Sequence, residues 1–161
     1  GDVLFTDMEV FKGQGNDTYL ASVMDLYDRK IIGWAYGKNI TSELATQAVK
    51  NACLNIPDTT GIVLYSDLGS QYTSEEFEKY LQDQGMLHSF RRKGNPYDNA
   101  CIESFHSVLK KEEVYTTTYY TFEEAKSALF EYIESFYNRK RRHSALDYKT
   151  PQQVEDEALA A

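Results

Sequence analysis

The 161-residue sequence is poor in several things. It has 2 cysteines, Cys53 and Cys101. Two are too few for a disulfide framework and lack the paired Cys/His spacing of a zinc site. A reducing cytoplasm is the expected compartment. No apolar run approaches the ~18 residues of a membrane helix. No basic start followed by an apolar stretch marks a secretory signal. There is no Pro/Gly/Ser-rich linker and no internal repeat, so the reading is one domain over residues 1–161. The chain starts with Gly1 rather than Met, and is expected to be a fragment of something longer. What is present is a globular composition, 42% hydrophobic and 26% charged, which excludes a disordered chain.

Excess positive charge is also missing. The formal net charge is −8, which taken alone argues against a nucleic-acid partner. The distribution changes that. Residues 1–90 carry 6 basic and 13 acidic side chains, whereas residues 91–161 carry 11 and 12. Two basic runs lie in the second half, Arg91-Arg92-Lys93 and Arg139-Lys140-Arg141-Arg142. Screening over ~8 Å makes such local patches count for more than the total.

The hydrophobic periods order the elements. Residues 3–8, 18–24 and 31–36 read as strands, the first two joined by the turn Gly13-Gln14-Gly15-Asn16-Asp17. Thr41 caps a helix on which Leu44, Ala45, Ala48 and Ala52 recur. Residues 62–66 form a short strand buried on both faces. Thr73-x-x-Glu76 reads as a capping box for a helix to Gln84, stopped by Gly85. Residues 86–90 are a fifth strand, and residues 91–99 a loop. A long helix runs from Asp98 or Asn99 to Glu113. Thr121-x-x-Glu124 heads another, to about Asn138, and Thr150-Pro151 opens a last short one. The order β-β-β-α-β-α-β-α-α implies an α/β, ribonuclease-H-like fold: a five-stranded mixed sheet with helices on both faces.

Three carboxylates sit where a core would not tolerate them unpaired. Asp7 interrupts the first strand, Asp67 ends the fourth, and Glu103 lies on the long helix. If the first and fourth strands are neighbours, Asp7 and Asp67 converge at one end. Their repulsion calls for a cation, and hard oxygen ligands suit Mg²⁺ or Mn²⁺, two of which can activate an attacking oxygen and stabilise a leaving one. Asn99, Glu103, His106, Ser107 and Lys110 share one helical face; Ile102, Phe105 and Leu109 take another. By spacing alone, a solvated polar face explains the first set equally well.

Three segments bear a family resemblance. They are Tyr65-Ser66-Asp67-Leu68-Gly69-Ser70-Gln71-Tyr72-Thr73-Ser74; Gly94-Asn95-Pro96-Tyr97-Asp98-Asn99-Ala100-Cys101-Ile102-Glu103-Ser104-Phe105, on to Leu109-Lys110-Lys111-Glu112; and Tyr137-Asn138-Arg139-Lys140-Arg141-Arg142-His143-Ser144-Ala145-Leu146. Together they resemble the integrase catalytic core (DDE, retroviral-integrase-like) of bacterial insertion-sequence transposases. The 35 residues between Asp67 and Glu103 match the spacing that names the class. The resemblance implies that Asp7, Asp67 and Glu103 are catalytic and bind two Mg²⁺ ions. It implies that Asn99 and Lys110 contact DNA. Water would cut one strand at a transposon end, and the freed 3′-hydroxyl would attack another phosphodiester. A homodimer or larger assembly on DNA, in a bacterial cytoplasm and away from membranes, is expected. The family's N-terminal helix-turn-helix region is not seen in this sequence. Tyr65 and Leu68 stand where members commonly carry His and Arg, which removes a positive charge beside the site.

Further contacts are read from the residues. Arg91, Arg92, Lys93, Arg139, Arg141 and Arg142 are candidate phosphate contacts, with an ordinary basic helix end as the alternative for the second run. Asp25 and Asp28 are expected to cap the turn after the second strand, with metal ligation the alternative. Tyr115, Tyr119 and Tyr120 are placed at a core edge, with stacking on bases or a partner interface the alternatives; His88 is read as structural, and His143, beside the basic run, as a phosphate contact that nothing in the sequence forces. Two other functions stay open: a hydrolytic nuclease of the same fold, and a non-catalytic DNA-binding or dimerisation module.

Overall fold

The computed structural model describes residues 2–13, 15–90, 97–141, 143 and 146–160, and of residues 97–99 the backbone path alone. Five strands form one sheet: β1 (Val3–Phe11), β2 (Thr18–Asp25), β3 (Ile31–Gly37), β4 (Val63–Ser66) and β5 (Leu87–Phe90). Their order is β3-β2-β1-β4-β5. The first three pair antiparallel, and β1, β4 and β5 pair parallel. This is the mixed, ribonuclease-H-like sheet expected from the sequence.

Helices cover both faces. On one lie α1 (Ser42–Cys53), the single turn α2 (Ser70–Thr73) and α3 (Glu75–Asp83). Their apolar residues pack with Leu4, Ala21, Val23 and Leu64. Gly33 of β3 lets α1 approach closely: a Cβ there would meet the Ala52 nitrogen at 2.4 Å. On the other face lie α4 (Tyr97–Leu109) and α5 (Phe122–Phe130). Ile102, Phe105, Leu109, Leu129 and Tyr137 pack there on Phe5, Phe11, Leu20 and Met24. A last helix, α6 (Pro151–Ala160), follows.

The caps follow the sequence with one exception. Thr41 accepts from Leu44 N at 3.1 Å, and Thr121 from Glu124 N at 3.1 Å. Thr150 and Gln153 cap reciprocally, side chain to backbone, at 3.1 and 2.8 Å. The expected Thr73 cap is replaced by Ser74, whose extended backbone and hydroxyl receive Phe77 N at 3.2 Å. Thr73 instead closes α2, its hydroxyl donating to Ser70 O. Both long helices also change character partway. Each widens into π-helical turns, at Lys110–Val114 and at Glu131–Tyr137. Gly85 takes the left-handed conformation at φ 72°, the helix stop expected of it.

The turn between β2 and β3 uses both of its aspartates. Asp25 Oδ1 accepts from Tyr27 N and Asp28 Oδ1 from Lys30 N, each at 2.9 Å. Asn138 pins the start of β3 by bonding both Ile31 N and Ile31 O, at 2.9 and 3.0 Å. Among the described residues no helix is long and apolar enough to cross a membrane.

Candidate active site

Asp7 lies on β1, on the face that meets α4. Phe5 pairs in register with Tyr65 of β4. Asp67 directly follows the end of β4, on the same alternation as Tyr65, and its charge acts on Asp7. Glu103 comes from α4, whose Ile102 and Phe105 are buried against the same sheet face while Glu103 is exposed. Elements distant in sequence therefore bring the three expected carboxylates to one end of the sheet.

The electrostatics register that approach. The Asp7 pKa is pushed up to about 7, first by burial, then by the negative charges of Asp67, Glu9 and Glu103, against a lowering hydrogen bond from the Met8 backbone. Asp67 is half-buried, and its Oδ1 accepts from Gly69 N at 2.7 Å. Among the described residues, no three His, Cys, Asp or Glu side chains are gathered closely enough to hold an ion as they stand. The donor chemistry nonetheless fits a hard divalent cation: carboxylate oxygens with no thiolate among them.

The polar stripe of α4 needs one correction. His106 does not share the open face with Glu103 and Lys110. It is 1% exposed. At about 100° per residue it falls between Leu109 and Lys110 around the helix axis, on the seam of the two faces. A ring nitrogen, Nε2, meets Ser22 Oγ at 3.0 Å. Its Nδ1 stands 3.8 Å from Asp7 Oδ2 and 3.9 Å from Glu9 Oε2. Those distances are too long for hydrogen bonds. Burial, with Lys110 nearby, pulls its pKa down to about 3, so the ring is neutral and forms no ion pair.

The sequence reading missed Glu9, Ser22 and Tyr72 at this site. Glu9 follows Asp7 by two residues, so strand alternation puts both on one face. Ser22 is the cross-strand partner of Asp7. Only sheet register reveals that pairing. Tyr72 is fully buried, and burial beside Asp7 and Asp67 pushes its ionisation far up, leaving a neutral hydroxyl.

The expected DNA contacts divide. Lys110 is ion-paired with Glu9. Arg141 is paired with Glu112 at 3.1 Å, and Glu112 also accepts from the Tyr132 hydroxyl at 3.0 Å. Arg139 is exposed. Arg91, Arg92, Lys93, Arg142 and the Asn99 side chain lie outside the described residues. Tyr115 and Tyr120 are exposed rather than packed at the core edge, and the half-buried Tyr119 donates to Glu113 at 2.9 Å. His88 is structural as expected, held between Ser66 and Glu78. A cavity of about 950 Å³ opens elsewhere, between Phe11, Tyr36 and the 117–122 connection; none of the three carboxylates lines it.

Comparison with known proteins agrees with this architecture. Residues 1–96 match a family model described as integrase core domain, and residues 84–151 match a second of the same description. The transposase for insertion sequence element IS904 of Lactococcus lactis is 40% identical over 149 residues, covering 92% of this chain and 59% of that protein. Transposase InsF for insertion sequence IS3A of Escherichia coli is 37% identical over 142 residues, covering 88% and 49%. The chain thus spans about half the length of these relatives. The HTLV-2 integrase catalytic core domain, solved in complex with magnesium in a trimeric form, superposes with TM-score 0.70 at 16% identity, covering 94% of each chain. At that identity the likeness shows the fold. With its carboxylates on a ribonuclease-H-like sheet and a family match over most of its length, the chain belongs to the integrase core domain family.

Proposed function

We propose that this chain is the catalytic core of a metal-dependent DNA transposase, with residues 1–161 acting as one catalytic domain and Asp7, Asp67 and Glu103 carrying the chemistry. The observation that carries this reading is the Asp7 carboxyl, raised to about 7 by burial and by the charges of Asp67, Glu9 and Glu103. Mutually repelling, partly buried carboxylates cost stability, which marks them as functional rather than structural. Asp7, Asp67 and Glu103 would hold Mg²⁺ or Mn²⁺, two ions in the full site. Bound there, such ions supply a more acidic attacking water or hydroxyl and neutralise charge gathering on the phosphodiester.

The chain's own residues set the rest. Asp7 is held in β1 and presented with no cationic side chain paired to it among the described residues. His106 stays neutral against it and so leaves its charge uncompensated. Lys110 is taken up by Glu9, which keeps the ammonium from closing on Asp7. Asp67 sits at a strand end, where turning from its Gly69 bond requires no change in the sheet. Glu103, on an exposed helix face, leaves the site open to a polymer. The substrate class is DNA: one strand is cut at a transposon end by water, and the resulting 3′-hydroxyl attacks a second phosphodiester. Two ends must meet, so the working form is a homodimer or larger assembly.

Calorimetric titration of Mn²⁺ into this chain and its Asp67→Asn variant tests the site. Saturable binding by the parent and not by the variant is expected. Equal heats from both, with a transposon-end duplex present as well as absent, would remove Asp67 from the ligand set.

A further inference from the structure

Three polar side chains on the α1/α3 side of the sheet form one hydrogen-bonded network. The Ser66 hydroxyl lies 2.7 Å from His88 Nε2, and His88 Nδ1 contacts the Glu78 carboxylate. The Ser66 hydroxyl also donates to the Asp67 carbonyl at 2.9 Å. The members come from three elements: Glu78 from α3, His88 from β5 and Ser66 from the last position of β4. Packing fixes the imidazole as well, edge-on to Phe77 at 5.5 Å and tilted against Phe90 at 4.2 Å.

Donor accounting gives the network a direction. A hydroxyl carries one proton. Ser66 gives it to the Asp67 carbonyl, so in the contact with His88 the ring Nε2–H donates. The imidazole thereby keeps the hydroxyl turned toward Asp67, and Glu78 keeps the imidazole in place. Serine, histidine and a carboxylate also make nucleophilic triads. Here Ser66 is 3% exposed and its proton already faces a neighbouring carbonyl, so the network holds rather than attacks.

What it holds is the backbone that carries Asp67. Successive strand residues point to opposite faces. Ser66 follows the alternation of Leu64, into the α1/α3 face. Asp67 follows that of Tyr65, toward the face of Asp7 and Glu103. The strand and its pairing end at Ser66. The bond to the Asp67 carbonyl therefore restrains the first peptide beyond the ladder, while Gly69 N restrains the carboxylate. Stability alone does not call for such a network, since apolar groups of the same shape serve about equally well.

We infer that Glu78, His88 and Ser66 are positioning residues that set the Asp67 backbone for metal binding from the opposite face of the sheet. The inference rests on the proposed role of Asp67 as a metal ligand.

Two readouts on the 161-residue chain test it. One is Mn²⁺ affinity by calorimetry. The other, in metal-free buffer, is the NMR resonance of the Asp67 carbonyl carbon. Ser66→Ala removes the donor. His88→Phe keeps a ring between Phe77 and Phe90 and removes both nitrogens. His88→Gln restores an N–H donor. Ser66→Ala and His88→Phe should each weaken Mn²⁺ binding about tenfold, as loss of a partner behind a ligand does. Both should move the carbonyl resonance upfield, the direction of a lost hydrogen bond. His88→Gln should recover most of both effects, whatever its melting temperature. Lowered melting temperatures with unchanged Mn²⁺ affinity in Ser66→Ala and His88→Phe would overturn the inference and leave His88 a packing residue. An affinity in His88→Gln no better than in His88→Phe would overturn it too. No Mn²⁺ binding by the parent, with or without a transposon-end duplex, would count against the proposed function. The carbonyl resonance then judges the network alone: unmoved in His88→Phe, it overturns the inference; moved there and restored in His88→Gln, it upholds the hold on Asp67.

Discussion

The two faces of the sheet are built on different rules. The α1/α3 face is close-packed: Ala45, Ala48 and Ala52 lie on Gly33, Ala35 and Val23, and the polar groups buried there, Thr6, Thr46 and Ser66, are hydroxyls. The α4/α5 face is bulkier, with Phe5, Phe11, Phe105 and Tyr132, and it takes polar groups inside. His106 and Ser22 are buried there, with Asp7 and Glu9 beside them. One face supplies stability through backbone proximity. The other gives up some of it to hold carboxylates at a chosen place. Function has been placed where the packing is least economical.

That contrast can be broken experimentally. The largest effect should fall on chemistry: Asp7→Asn, Asp67→Asn and Glu103→Gln in a full-length transposase carrying this core should each lower strand cleavage and joining by at least ~10³-fold, about 4 kcal/mol of barrier, with the fold intact by circular dichroism. Joining retained in any one of them removes that residue from the triad. Next is the α1/α3 face. Gly33→Val should cost about 3 kcal/mol in urea denaturation, because even a Cβ would sit 2.4 Å from the Ala52 nitrogen and 2.5 Å from the Ala48 carbonyl. Loss below about 1 kcal/mol would mean that α1 can slide away.

The third test compares pH dependence. The folded pKa of Asp7, about 7, is above its ordinary value of 3.8, so between those pH values the folded state holds a proton the unfolded state has released. Stability from this group is full below pH 4 and is lost as pH rises toward 7. His106 has the opposite sign. Its folded pKa, about 3, lies below 6.5, so its contribution is present above pH 6.5 and lost as pH falls toward 3. The two oppose each other between about pH 4 and 6.5. Asp7→Asn, in metal-free buffer, should therefore be more stable than the parent at pH 8, by roughly 1–3 kcal/mol, with the gain shrinking toward pH 4. Its stability should also rise with pH across the window where the parent's is flatter. Thermal melts at pH 4.5, 5.5, 6.5 and 8 measure both. A variant less stable than the parent at pH 8 would contradict the repulsion argument. The smallest effect is local: Thr121→Ala, on the α5 cap, should cost about 1 kcal/mol and leave Mn²⁺ binding unchanged.

The strand and helix order was legible because periods of two and of 3.6 are local. Val3–Phe11, Thr18–Asp25 and Ile31–Gly37 extend the expected strands by only a few residues. The misplaced cap at Thr73 reflects a real ambiguity, since Thr73 and Ser74 are both capping residues and only backbone geometry chooses between them. The π-helical turns left no periodic trace. The carboxylates were legible as anomalies: acids inside or at the end of apolar strands.

By itself the sequence determined the element order, the anomalous acids, the spacing between Asp67 and Glu103 and the family they resemble. These are properties of neighbours in the chain, where side-chain chemistry and period suffice. Tertiary structure alone decided what each polar group meets. It turned His106 from the open stripe into a buried neutral ring. It gave Lys110 to Glu9 and Arg141 to Glu112, and it set Asp7 opposite Ser22. It also joined Glu78, His88 and Ser66, from three elements, behind Asp67. Such partnerships depend on sheet register and helix rotation, and those are fixed only when the core closes and each buried polar atom must find a partner or go without one.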